Sequence, residues 1–275
     1  SSLAQAALMK NERALGTAME QLSTGKRINA AGDDASGLAI SARMTSQIRG
    51  LETSIRNAND AISMVDTAEG ALDEITEMLQ RIRELAVQSG TGTTSSDDRT
   101  YIDAEFDQLR AEIDRIANNT EWNGTTILDG TADGATSNVT FQVGVDGGQT
   151  LAVNFGNFTS ANATTSGLHN LTLDATTAAS GIAKASSVIA EADVSIAAVS
   201  NQRATFGATS NRLTHAVDNL TSVKTNAEAS RSRILDTDYA AATSELARTQ
   251  IIQQAGTAML AQANQLPQSV LSLLQ

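Results

Sequence analysis

Cysteine is absent from this sequence of 275 residues, and proline, histidine and aromatic residues are scarce. Without cysteine, disulfides, thiolate metal sites and cysteine nucleophiles are excluded. His169 and His215 lie far apart in the sequence, so they give little basis for a histidine metal site or a catalytic triad. The single proline, Pro267, permits long uninterrupted helices. The aromatic content of 3% indicates a core of Ala, Leu, Ile and Val, as in helices packed side by side.

Basic residues are also in deficit, with 19 Lys and Arg against 31 Asp and Glu. Nucleic-acid binding relies on clustered Lys and Arg, so we expect no nucleic-acid partner. No stretch reaches the roughly 18 apolar residues of a membrane span, and no secretory signal peptide is visible at the start. Common catalytic and phosphate-binding motifs are absent, and carboxylate pairs such as Asp33–Asp34 and Asp97–Asp98 are interpreted as helix starts. The sequence therefore predicts no enzyme, cofactor or metal site.

Apolar periodicity predicts a series of helices in the first part of the chain. Leu8, Leu15 and Leu22 recur every seven residues, which is typical of a short coiled-coil seam. From Ile48 to Ala86 the apolar positions alternate steps of three and four, with one extra three-residue step at Ala68. This pattern predicts a long rod. A shorter amphipathic helix from Ile102 to Ile116 follows a loop and is predicted to fold back on the rod.

The period changes to two within residues 119–181, where Gly, Thr and Asn are frequent. Apolar residues alternate with polar ones over 139–145 and again over 151–155, with Asp146–Gln149 between them as a turn. Asn123–Gly124 and Asp129–Gly130 indicate further turns. We predict a small β-hairpin insert rather than an independent domain.

The helical period then returns and predicts a second rod. Its apolar positions are Ile182, Ala185, Ile189, Ala192, Ile196, Val199, Phe206, Leu213, Val217 and Leu220, with the polar Arg203 and Ser210 between them. Two rods of similar length, each with one apolar seam, can bury those seams against each other. The predicted fold is mainly α, with long antiparallel coiled-coil helical rods and a small β-hairpin insert; two helices of an ordinary bundle are the alternative.

The last 27 residues, 249–275, contain no charged side chain. Apolar residues recur there at helical spacing, and the polar positions are Gln and Asn, so the segment is too apolar for a solvated tail. Docking on its own domain is one interpretation. We favour an interface between molecules, because the short N-terminal seam is the partner this chain offers and is too short to be stable alone.

Several runs of this sequence resemble bacterial flagellins. Near the start these are Leu15–Gly25, Asp33–Ile40 and Leu79–Gln88, and near the end Ser232–Ala240 and Gln253–Gln265. The resemblance covers essentially the whole chain. It also implies that a short segment before the first helix and the large outer variable domains of longer flagellins are absent from this sequence.

This resemblance implies a structural subunit that polymerises into the flagellar filament for swimming motility. Such a subunit is secreted through the flagellar type III export channel with a chaperone, and it meets filament cap and hook-junction proteins. Residues 1–34 and 235–275 would form a terminal coiled-coil domain lining the filament interior, and 35–234 the core rod domain. The implied polymerisation interface comprises Leu8, Leu15, Leu22, Ile252, Ala255, Met259, Leu260, Leu266 and Val270.

Flagellins with the Gln80–Val87 pattern are recognised by a flagellin-sensing Toll-like receptor of animal hosts. The resemblance therefore implies Arg81, Leu85 and Glu105 as candidate receptor contacts. Arg81 and Leu85 are four residues apart and share one helix face, so we predict one patch with an apolar centre flanked by opposite charges. A hook–filament junction protein of the same class and a secreted, permanently monomeric coiled-coil adhesin remain as alternatives.

Overall fold

The computed structural model describes residues 2–159, 168 and 170–273, with side chains described for 5–159, 168 and 170–262. In this part of the chain, helices dominate and the strands are short, which confirms the predicted mainly α fold. The elements in order are α1 (Ser2–Thr24), α2 (Ala35–Ser89), α3 (Ser96–Asn119), β1 (Glu121–Trp122), β2 (Thr125–Thr126), β3 (Asn138–Gln142), β4 (Thr150–Asn154), α4 (Ala178–Leu235) and α5 (Tyr239–Leu273).

Contacts along the chain divide it into two compact units. Unit 1 comprises Ser1–Arg49 with Val223–Gln275, and unit 2 comprises Gly50–Ser222. Because α2 and α4 contribute to both units, this division falls within helices. The functional boundary expected from the resemblance, at 34/35 and 234/235, lies instead where helices are joined, and it stays a prediction.

Short polar side chains fix where the helices begin. Asp34 accepts the backbone N–H of Gly37 at 2.8 Å at the start of α2. Ser95 and Asp98 form a reciprocal capping box at the start of α3, and Asp238 accepts the N–H of Ala240 at 2.9 Å at the start of α5. Each oxygen satisfies an amide that has no partner within its helix. The interpretation of the carboxylate pairs as helix starts is therefore confirmed.

The core of unit 2 joins α2, α3 and α4 around the apolar stripe of α2. Leu72, Ile75, Leu79 and Ile82 are fully buried there, as the periodicity predicted. Ile55 and Ile62 are only half-buried. Phe106 and Ile113 of α3 complete the same cluster, so the third helix does pack on the rod.

The buried face of α4 differs from the predicted seam. Val188 and Ser195 are fully buried, whereas Ile182 is 46% exposed. Ile189 and Ile196 pack only partly against the core. The predicted seam and the buried face in the structure share Ala185, Ala192 and Val199. They differ in the second row of residues: the sequence predicts the isoleucines there, whereas the structure buries Val188 and Ser195. The smaller side chains occupy the centre, where helices approach closely, and the isoleucines cover its edge. Farther along α4, Thr209 is buried, whereas the predicted seam residue Ser210 is only partly buried.

The β insert packs on the two long helices of unit 2. β3 and β4 are antiparallel, with Phe141 opposite Leu151 and Val139 opposite Val153. The Phe155 ring after β4 lies 5.5 Å from the Phe206 ring of α4. The predicted hairpin around Asp146–Gln149 is confirmed, and the predicted turn at Asn123–Gly124 joins the short antiparallel strands β1 and β2. The turn at Asn123–Gly124 has positive φ at both residues, as a two-residue hairpin turn requires.

A buried arginine closes the end of unit 2 where α2 stops. Arg99 of α3 is 1% exposed. Its guanidinium donates from Nε to the carbonyl of Ser89 at 3.2 Å and from Nη2 to that of Thr91 at 3.0 Å. A Cβ on Gly181 of α4 would lie 2.5 Å from Nε. Arg99 therefore satisfies carbonyls at the end of α2 and requires glycine at the neighbouring position of α4.

We predict that Arg99→Ala lowers the free energy of unfolding by about 1–3 kcal/mol, because the buried carbonyl of Ser89 and the partly buried bond to Thr91 lose their donor. Gly181→Ala should also destabilise unit 2, since its methyl group displaces the guanidinium. The double variant should lose less than the sum of the two, because the methyl group then occupies vacated space. Urea unfolding followed by circular dichroism measures all three.

The control is Arg115→Ala, on the same helix but in an exposed ion pair with Glu112, where a change within about 0.5 kcal/mol is expected. Strict additivity of the two buried substitutions would contradict the proposed contact.

Candidate assembly surfaces

The two terminal helices, α1 and α5, pack along each other in unit 1. The side chains of α1 that are buried or half-buried on this face follow a heptad spacing: Leu8, Asn11, Leu15, Ala18 and Leu22. The corresponding residues of α5 are Ala242, Leu246, Thr249, Gln253, Gly256 and Leu260. Two stripes of period 3.5 that face each other form a coiled-coil seam. The short predicted seam of α1 is therefore covered within the chain.

A buried polar contact sets the register of this pair. Asn11 is 9% exposed, and its side-chain amide donates to the backbone carbonyl of Thr249 at 2.8 Å. Nearer the start of α1, a Cβ on Gly256 would lie 2.6 Å from a methyl group of Leu8, so the helices approach closely there. A single polar residue in an apolar seam specifies alignment because any slip leaves it unpaired. Sequence reasoning missed Asn11, although it occupies a heptad position between Leu8 and Leu15.

The outward face of α5 is apolar and exposed. Ile251 is 66% exposed, Ile252 44% and Met259 72%, and Ala255 lies on the same exposed side. Part of this face borders a groove with α1 whose lining is entirely apolar: Ala7, Leu8, Ile252, Ala255, Gly256 and Met259. No charged side chain occurs beyond Arg248 to solubilise the helix. A contiguous apolar face of this kind is typical of a surface that another molecule covers.

The predicted interface residues thus fall into two groups. Leu8, Leu15, Leu22 and Leu260 are half-buried in the α1–α5 seam, whereas Ile252, Ala255 and Met259 lie outside it. Leu266 and Val270 belong to α5, but their side chains lie outside the described residues, as does His169. The role of all these residues in assembly stays a prediction.

Two connecting segments are tied together where α1 leads into α2 and α4 leads into α5. Lys26 and Asp236 form an antiparallel bridge, and the backbone N–H of Arg27 donates to the carbonyl of Leu235 at 2.7 Å. The guanidinium of Arg27 reaches the carbonyl of Ile234 at 2.7 Å, which caps the negative end of α4. Gly25 has φ of +70° beside the Tyr239 hydroxyl, a conformation that favours glycine at a helix end.

The loop between α1 and α2 is held by Asp33. Its Oδ2 accepts the backbone N–H of Asn29 at 3.0 Å and that of Ala30 at 2.9 Å. The bonds from Ala30 and then Asn29 favour the charged form and lower the pKa of the Asp33 carboxyl below its ordinary value. Beside it, buried Ile28 approaches Gly37 so closely that a Cβ there would lie 2.6 Å from its methyl carbon.

The candidate receptor contacts lie in unit 2, at the surface between α2 and α3. The Arg81 guanidinium pairs with Glu105 at 2.8 Å and with Glu84 at 3.1 Å. The hydrogen bond that Arg81 donates to Glu105, and then the one that it donates to Glu84, raises the pKa of Arg81. Leu85 is only 1% exposed, so the predicted apolar centre of the patch is wrong. Leu85 is one of the core residues because α3 covers its side of α2, and the surface consists of the charged groups.

The described residues contain no group of three or more His, Cys, Asp or Glu placed to hold a metal ion. His215 is exposed on α4, and Trp122 packs against the core of unit 2. No described helix combines the length and the apolarity required to cross a membrane.

Comparisons with known proteins give consistent matches over this chain. Residues 1–133 match the family model of the bacterial flagellin N-terminal helical region, and residues 189–274 match the model of the C-terminal helical region. A flagellin of Bacillus subtilis is 45% identical, with 98% of this chain and 95% of that protein covered. A flagellin of Halalkalibacterium halodurans is also 45% identical, with 94% and 91% covered.

A solved structure shows the same relationship. The crystal structure of Bacillus cereus flagellin aligns with 60% of this chain and 88% of its own chain. The TM-score is 0.51 at 34% sequence identity.

The Asp33 contacts predict a local response to acid. A carboxyl with a lowered folded pKa contributes stability above its unfolded pKa, and that contribution is lost as the pH falls through the folded value. The amide NMR signals of Asn29 and Ala30 should therefore titrate with a midpoint below the ordinary aspartate value, and in Asp33→Asn this titration should disappear. A midpoint at or above the ordinary value would contradict the assigned bonds.

Proposed function

Since this chain belongs to the bacterial flagellin family, whose members are structural filament subunits and not enzymes, we propose that its terminal helices supply the contacts between subunits. The chain polymerises with copies of itself into a flagellar filament outside the cell. The finer proposal is that the outward face of α5 is buried against neighbouring copies, while the seam with α1 holds α5 in place within each subunit.

The observation that carries this proposal is the one-sided burial of α5. Its inner face packs on α1, and its outer face leaves Ile251, Ile252 and Met259 between 44% and 72% exposed. Covering such side chains contributes about 1.5–3 kcal/mol for each one fully buried. The chain offers α5 one described helical partner, α1, and the exposed face is repeated on every copy. A helical polymer brings such faces together repeatedly, so contacts that are weak in one pair accumulate.

We further propose that residues 1–34 and 235–275 form the terminal coiled-coil domain that lines the filament interior and that 35–234 form the core rod domain. The positions of the helix connections support this assignment, because the tied segments around Lys26 and Asp236 lie close to both boundaries. The part of α5 beyond Arg248 has no charged side chain, which suits an interior position because no charge there requires bulk water.

Export through the flagellar type III channel and recognition by a chaperone, a filament cap and hook-junction proteins complete the proposal. Family membership supports these partners. We expect the chaperone to cover the apolar face of α5, because an exposed stripe of this kind must be covered before assembly to prevent aggregation.

The assembly proposal predicts that Ile252→Asp prevents growth on filament seeds while the subunit stays folded. Ile252 is 44% exposed at the edge of the groove between α1 and α5, so the charge can be solvated in the free subunit but is unpaired when a neighbour covers it. Elongation should slow at least about tenfold, since desolvating an unpaired charge costs several kcal/mol. Light scattering and negative-stain microscopy of seeded reactions measure growth, and circular dichroism measures helicity.

Ile252→Leu is the matched control, because it keeps an apolar side chain of the same volume and should grow as the parent does. Leu260→Asp differs from both, since Leu260 is half-buried in the seam and the charge should also loosen the α1–α5 pair. Parent-rate growth of Ile252→Asp would contradict the assigned face. A parent chain that stays monomeric with seeds would favour the adhesin alternative.

For the host receptor, we propose that recognition uses the exposed pair Arg81 and Glu105. The buried Leu85 contributes indirectly, because its packing holds α2 in position. Arg81→Ala and Glu105→Ala should each weaken signalling of the monomer in a cell reporter assay by about fivefold or more, as truncation of a central charged contact does. Their thermal unfolding should remain near that of the parent, because both side chains are about half exposed.

Leu85→Ala should instead lower the free energy of unfolding by about 2–5 kcal/mol, because it removes a buried side chain. Any loss of signal in this variant should follow its loss of folded protein. Arg115→Ala provides the control for an exposed arginine on α3. Parent-level signalling from both charged-pair variants, or none from the parent monomer, rejects the receptor assignment.

A further inference from the structure

The six methionines of this chain differ sharply in their surroundings. Met259 is 72% exposed, Met9 64% and Met19 54%, and all three belong to the paired terminal helices. In unit 2, Met64 is 4% exposed and Met78 packs against the core. Methionine sulfur is therefore concentrated, in accessible form, on α1 and α5.

The position of Met259 gives its sulfur particular importance. It borders the groove between α1 and α5, beside Leu8, Ile252 and Ala255. The lining of that groove consists of alkyl groups and glycine, so it contains no side-chain hydrogen-bond donor. A polar group created at Met259 can be hydrated in the free subunit, but it would lose its hydration when a neighbouring copy covered the groove.

Oxidation creates such a group. A peroxide transfers one oxygen atom to the thioether sulfur, which is oxidised by two electrons to the sulfoxide, while the peroxide is reduced to water or an alcohol. The product keeps the length of the side chain but is polar and chiral, and it disrupts interfaces that contain methionine. Susceptibility follows exposure, so Met9, Met19 and Met259 should react before Met64.

We propose that Met259 makes assembly sensitive to oxidation: a peroxide modifies the free subunit, and sulfoxide at Met259 prevents its addition to the filament. This inference rests on the proposed function, because it requires that a neighbour covers the outer face of α5. Subunits already assembled are protected, since the same coverage shields the sulfur. The modification is reversible by methionine sulfoxide reductases.

The first measurement locates the modification. The full-length monomer and preformed filaments are exposed separately to dilute hydrogen peroxide, and the gain of one oxygen atom is mapped on proteolytic peptides by mass spectrometry. In the monomer, sulfoxide should form at Met9, Met19 and Met259 well before Met64. In filaments, Met259 should react several-fold more slowly than in the monomer. Equal rates at Met259 in the two states would overturn the inference.

The second measurement tests the consequence. Monomer oxidised under these conditions should elongate seeds at least about tenfold more slowly, because each addition buries an unpaired dipole. Met259→Leu should retain growth after peroxide, whereas the matched control Met64→Leu should remain as sensitive as the parent. Met259→Gln, which places a polar group of similar length there, should grow slowly without peroxide. Treatment with the reductases should restore growth of the oxidised parent.

The outcomes separate this inference from the proposal on which it rests. If untreated parent grows on seeds and oxidised parent grows equally well, the inference fails and the filament function stands. If Met259→Leu loses growth after peroxide as the parent does, Met259 is not the sensitive site and the inference also fails. If untreated parent does not grow, both fail together.

Discussion

The seam between α1 and α5 is the contact on which the proposed assembly surface depends. Helices in proteins draw most of their stability from packing an apolar face, and α1 and α5 supply that packing to each other. Because α1 can cover one side of α5, burying Leu260 and Gly256 in the seam leaves Ile252 and Met259 outside it. The outer face is therefore a direct consequence of the inner one, and its lack of charge leaves it without solubilising groups.

Polar contacts decide which residues reach that outer face. Asn11 holds the register through the carbonyl of Thr249, and Arg27 ties the two connecting segments through Ile234. A slip of the seam would leave the Asn11 amide unpaired in an apolar environment, which is costly. These bonds contribute specificity rather than driving force, since the surrounding leucines supply the buried apolar area.

In unit 2 a charged surface lies over an apolar core. Here too, apolar side chains supply the packing and polar groups make the specific contacts. Leu85 and its apolar neighbours hold α3 against α2, and this packing brings Glu105 within 2.8 Å of Arg81. Exposed ion pairs contribute little to stability, so Arg81 and Glu105 are available for the receptor contact that we propose. Substitution of these surface charges should therefore leave the fold intact, provided that Leu85 remains in the core.

The sequence by itself determined the long helices and the strands of the β insert, through the spacing of apolar residues. Residue types alone indicated the turns, the helix starts at Asp34 and Asp98, and the uncharged tail. All of these depend on near neighbours in the chain. Only the tertiary structure decided which of two apolar rows of α4 turns inward, that Leu85 is buried, and that Arg99 lies beneath Gly181. Each of these depends on helices distant in sequence that compete for the same space. For the same reason the sequence predicted an apolar α5, but only its pairing with α1 separated the residues of the seam from those left for a partner.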